Sequence, residues 1–228
     1  DPLVDDLLGP GIAIFDVHNS NRPEYVGNVP SVEGSRINDV KVAEMNSGAI
    51  LVHTNEPCDG GPGGFEVYNV DDPNSPEHLA HVQTDDPNDF LRENFDFTDF
   101  GVHNTFLFTQ GERDYVAAVV ESEFGNFQIF DITDPTNPAF VSAWGAESLF
   151  DPTVDWFETD DFDLILEADA YLFDGFGTSQ NRFLHDVTVN EEGTRSYLAN
   201  WDAGLVLLDI SDPADLEFLS QAIDPSAG

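Results

Sequence analysis

One short pattern recurs four times along the chain and limits its fold more than any other feature. It reads GIAIFD at 11–16, GFEVYN at 64–69, NFQIFD at 126–131 and GLVLLD at 204–209. Each copy ends in Asp or Asn, and three residues later comes Asn19, Asp72, Asp134 or Asp212. A proline follows at once in the last three copies (Pro73, Pro135, Pro213). A second proline (Pro23, Pro76, Pro138) closes all but the last, where Leu216 stands. Another short apolar segment then begins, at 25–26, 78–80, 140–141 and 218–219. Asp and Asn at a turn entry accept bonds from backbone N–H groups nearby, and proline fixes φ while offering no donor to a ladder. The pattern therefore encodes strand, tight turn, strand. Cation binding by these Asp-rich turns is the alternative, and the turn-forming role is the one expected.

Two further strands precede each complete hairpin. Runs at 37–42, 102–108 and 183–189 lead through turns containing Gly48, Gly111 and Gly193 to runs at 49–52, 115–120 and 196–199. The segments AAVV (117–120) and LVLL (205–208) do not alternate, so both faces of those strands should be buried. Four short strands in series, buried on both faces and repeated, describe an all-β fold: a β-propeller of four-stranded antiparallel blades. Residues 37–83, 102–144 and 182–223 would make complete blades and 10–30 an outer half. About three and a half blades fall short of the usual four to eight. The whole chain, 1–228, is thus expected to be one propeller domain or a segment of a larger one. Two insertions, 85–101 and 145–180, are acidic, rich in Phe and too long for plain turns. They read either as a cap over one propeller face or as solvated loops, with a short helix expected around 162–170.

Charge narrows the partners. Of 228 residues, 45 are Asp or Glu and 7 are Lys or Arg, a formal net charge of −38, while 40% apolar content with 19 Phe excludes a disordered acidic tail. A folded chain of this mass exposes roughly 10,000 Å², and a negative field over that surface repels nucleic acid and anionic membranes. Neither is an expected partner. Lys41 is the only lysine, and the acids are spread throughout. Such a surface self-repels unless molar salt shortens the Debye length to about 3 Å, so a halophile's protein is expected. Cys58 stands alone, which rules out an intrachain disulfide, and reads as a small buried or incidental thiol. No apolar run reaches the ~18 residues of a membrane span. The chain opens at Asp1 without a charged-then-apolar leader, which suggests a removed signal or an excised piece.

The stretches GLVLLDISDP (204–213) and FQIFDITDPTNP (127–138) closely resemble the LVIVD-repeat family, β-propeller-type proteins of bacteria and archaea. The resemblance extends over all four units, although the first lacks the first proline. The stretch NRFLHDVTV (181–189), continuing to NWDAG (200–204), looks like the haloarchaeal members. The resemblance implies export and an extracellular or cell-surface location, and it implies no particular chemistry.

Aligning the first strands stacks three polar pairs: Asn38-Asp39, His103-Asn104 and His185-Asp186. In a propeller the first strand lines the central channel, so these pairs should converge near one mouth. Imidazoles and carboxylates meeting there suit a transition metal with an open position: His103 and His185 as ligands, Asp39 or Asp186 assisting, Asn38 and Asn104 lining the channel. Alternatively, they satisfy backbone groups and buried water. The ends of the second strands form another polar ring, Asn55-Glu56, Glu121 and Asn200-Trp201-Asp202, in which Glu56 and Asp202 are rim candidates for a cation, Ca²⁺ included. His18, His53, His78 and His81 read as surface or structural residues of turns and outer strands. There is no GxSxG elbow, P-loop, GxGxxG after a strand or HExxH. The leading expectation is a non-catalytic scaffold for a protein or small-molecule partner. A metal-dependent oxidase or hydrolase and a Ca²⁺-stabilised adhesion module are the alternatives.

Overall fold

The computed structural model describes residues 10–84, 100–122, 125–145, 184–200 and 204–222. The structure contains β-strands and turns, and no helix among the described residues. A two-stranded sheet pairs β1 (Gly11–Asp16) with β2 (Glu24–Pro30). A short ribbon pairs β3 (Ser35–Arg36) with β6 (Glu56–Pro57). Three four-stranded meanders follow. The first runs β4 (Val40–Met45), β5 (Gly48–Thr54), β7 (Phe65–Asn69), β8 (Glu77–Val82). The second runs β9 (Val102–Gln110), β10 (Arg113–Val120), β11 (Phe127–Asp131), β12 (Ala139–Trp144). The third runs β13 (Leu184–Val189), β14 (Arg195–Asn200), β15 (Gly204–Asp209), β16 (Glu217–Ala222). All pairings within them are antiparallel.

The turn motif does what its residues dictate. In every unit the first acid or amide accepts the backbone N–H two residues on: Asp16 from His18, Asn69 from Asp71, Asp131 from Thr133, Asp209 from Ser211. The second repeats the device, Asn19 to Asn21, Asp72 to Asn74, Asp134 to Thr136, Asp212 to Ala214. A backbone bond from the residue three on then closes each turn. A register shift recurs as well, just before Phe15, Tyr68, Phe130 and Leu208. These carboxylates are engaged as turn formers.

Two faces of β10 explain its uninterrupted apolar run. Val116, Ala118 and Val120 pack with Ile50, Val52, Phe65 and Val67 of the first meander. Tyr115, Ala117 and Val119 pack with Val187, Leu198, Val206 and Leu208 of the third. Each such Val, Leu or Ile contributes about 1.5–3 kcal/mol on burial. A third cluster seats the β1–β2 hairpin, through Val29, Ile12 and Ile14, on Leu51 and Tyr68. The first strands also adjoin, β4 on β9 and β9 on β13. Sheets stacked face to face with their first strands side by side are propeller-like.

Two expectations shift. Residues 37–39 are not strand, because the Thr54 hydroxyl accepts the N–H of Asn38 and of Asp39 and holds that segment off the ladder. Cys58 is exposed, its thiol 3.4 Å from the Gly34 carbonyl. Nearly all of both insertions, with the helix expected at 162–170, lies outside the described residues, as does Asp202.

Candidate metal centre

The residues that converge do so at the start of β9. The backbone at 101–103 is held between two neighbours: Val102 N–H donates to the Asn55 carbonyl at 3.1 Å, and Glu121 N–H donates to the Gly101 carbonyl at 2.8 Å. This places Glu56 on one side of His103 and Glu121 on the other. Gly101 leaves room for the Glu121 carboxylate: a Cβ there would lie 2.3 Å from Glu121 Oε2 and 3.1 Å from Pro57 Cδ. The β3–β6 ribbon sets Arg36 directly opposite Glu56.

Glu56 is buried, and each of its oxygens has one cationic or polar partner. His103 Nδ1 is 2.6 Å from Oε1, while the Arg36 guanidinium donates to Oε2 through Nε at 2.9 Å and through a terminal nitrogen. A carboxylate can only accept, so Nδ1 donates the proton of that bond. The Asn38 amide donates to the His103 carbonyl at 2.8 Å and lies over the ring. The ring of His185 stands edge-on to that of His103, with centroids 4.9 Å apart. Glu56, His103 and Glu121 each offer a ligand atom within 4.8 Å of the others. Desolvation and the neighbouring charge of Glu56 push the Glu121 carboxyl above the ordinary range, against the pull of His103 and Arg36.

The set chosen from the strand alignment is thus partly reassembled. His103 and His185 meet as expected. Asp39 turns to Lys41 at 2.7 Å and to the N–H and hydroxyl of Thr105 at 3.0 and 3.2 Å. Asp186 accepts the N–H of Val187 at 2.8 Å. Asn104 lies on the stretch of β9 that faces the third meander, its Oδ1 buried without a partner. The carboxylates beside His103 are Glu56, expected only at the rim, and Glu121, expected only in the second polar ring. Arg36 was not anticipated, because the ribbon that brings it lies outside the four-strand repeat.

An ion can use this arrangement in two ways. At His103 Nδ1 it displaces the proton and is shared by Glu56 and Glu121. At Nε2 it leaves Glu56 as the carboxylate that orients the imidazole, an arrangement common around bound zinc. Glu121 is exposed, so either mode keeps one side open to solvent.

The class defined so far is a propeller-like, all-β repeat protein with a His/Glu cluster where its first strands begin. Residues 186–221, which span β13 to β16, match the family model of the LVIVD repeat. No curated protein matches the chain.

Proposed function

We propose that this is an exported, salt-adapted repeat scaffold of haloarchaeal type that binds its partner through a divalent transition metal held by Glu56, His103 and Glu121. The observation that carries the reading is the approach of three ligand atoms to within 4.8 Å, delivered by three separate strand ends. An imidazole with two carboxylates suits zinc and its neighbours, and the open side leaves a coordination position for a ligand. The imidazole argues against calcium here, since calcium takes oxygen ligands; the calcium-stabilised adhesion reading therefore rests on Asp202 and other rim acids. Arg36 already balances Glu56, so His103 and Glu121 carry most of the hold on the metal.

A second reading, a metal-dependent hydrolase or oxidase, is favoured by the exposed side of the cluster at Glu121, where a substrate would reach a bound ion at an open position. Equilibrium dialysis of the chain against Zn²⁺ in molar KCl tests both readings. Wild type is expected to bind zinc at this site and His103→Ala to lose that equivalent, with the fold retained by circular dichroism. Zinc binding unaffected by His103→Ala overturns the proposal. Turnover of an ester or reducible dye that requires zinc and falls in Glu121→Gln selects the enzymatic reading.

A further inference from the structure

Three of the protein's six histidines gather around a single buried carboxylate on the first meander. Glu66, on β7, is directly paired with His53 on β5 and with His81 on β8, so the three side chains leave the same face of the sheet. His78 reaches that carboxylate through the register shift between Val67 and Tyr68. Its Nε2 is 2.7 Å from Glu66 Oε2, His81 Nδ1 is 2.6 Å from Oε1, and the Asn55 amide donates to Oε1 at 2.8 Å. Tyr68 forms a wall, its ring 4.9 Å from that of His78 and stacked at 5.8 Å on that of His53.

We propose that Glu66, His78 and His81 form a second divalent transition-metal site, independent of the cluster at His103. The chemistry of the donor set is the first argument: two imidazoles and one carboxylate are a zinc-type ligand group. The side chain of Glu66 is only 4% exposed, while those of His78 and His81 are 49% and 36% exposed, so an ion enters from solvent onto a fixed carboxylate. Tetrahedral coordination at ~2.0–2.1 Å puts ligand atoms about 3.3 Å apart; the two imidazoles here bond different oxygens of Glu66, so binding requires these half-exposed rings to swing together onto one ion.

Economy is the second argument. A buried carboxylate costs several kcal/mol of desolvation, and among the described residues most acids lie on the surface. An apolar residue in the middle of β7 would meet the packing need alone. His53, opposite Glu66 on β5, is fully buried as well, and its Nε2 has no hydrogen-bond partner.

Cobalt(II) titration of the full chain, stripped of metal and held in molar KCl, tests the proposal through its visible d–d absorption. In the His103→Ala background the expected result is about one equivalent of imidazole-bound cobalt, abolished by adding His78→Ala and His81→Ala. The proposal is overturned if His103→Ala binds no cobalt, or if the triple variant binds as much as His103→Ala. Should the triple variant not fold, His78→Gln replaces the pair of alanines. Its cobalt affinity is expected to drop at least about tenfold, and an unchanged affinity overturns the site. Loss of cobalt only in variants of His103 would condemn this site while leaving the first in place.

Discussion

At the scale of single residues, the side chains that make turns and those that make sites are the same chemical types, and only their surroundings separate them. Asp16, Asp72 and Asp209 are held below the ordinary carboxylate range chiefly by the hydrogen bonds they accept in their turns, whereas Asp71 is held there first by the N–H of Ala49 on β5. Their role was legible because an Asx turn is local: the acceptor and the N–H it needs lie two residues apart. His53 was not legible. It sits on the second strand of its sheet, not in a turn or outer strand, and it is completely buried. Burial pushes its imidazole below the ordinary range, against the Thr54 carbonyl and the charge of Glu66. The folded state thus refuses a proton that the unfolded chain accepts near pH 6.5. Stability attributable to His53 is whole above about pH 6.5 and declines as pH falls toward the lower folded value. Thermal melts of wild type and His53→Gln between pH 7.5 and 5 in molar KCl, with chelator, should show the wild type losing more stability over that interval. Parallel curves would contradict this assignment.

At the scale of elements, the repeat announces each strand but not the ties between sheets. Asp114, at the start of β10, is fully buried and accepts four bonds from the β4–β5 turn, through the backbone N–H and side chain of both Asn46 and Ser47. Gln110 performs the same office toward the third meander, donating to the carbonyls of Gly193 and Ile210. In sequence both are ordinary polar residues flanking a turn, and their partners lie 67 to 100 residues away. Asp114→Ala orphans several donors at once, and each buried unsatisfied group costs about 1–3 kcal/mol. A loss of at least ~2 kcal/mol in denaturant unfolding is expected, against a near-neutral Asp134→Ser on an exposed turn. The candidate site follows the same division. The strand alignment brought His103 and His185 together because register is periodic. It missed Arg36 because the β3–β6 ribbon has no counterpart in the repeat, and it carried no sign that Thr105, one strand away, hydrogen-bonds the Asp39 carboxylate.

At the scale of the molecule, packing and charge pull in opposite directions. The clusters between sheets are dense and apolar, whereas a net charge of −38 surrounds them. Among described residues, Val40 and Val42 near one end of the stack and Tyr197 and Leu205 near the other remain exposed. Screening should therefore govern stability: moving from molar KCl to ~0.1 M lengthens the Debye length from about 3 to 10 Å and is expected to lower the melting temperature by several degrees. A melting temperature indifferent to that dilution would contradict salt adaptation. The most direct trial of the account as a whole is elemental analysis of the protein purified from molar KCl without chelator. The expected result is about two equivalents of zinc, copper or iron, about one of them missing from His103→Ala. Metal below about a tenth of an equivalent in the wild type, not restored by adding ions to a folded sample, would contradict it.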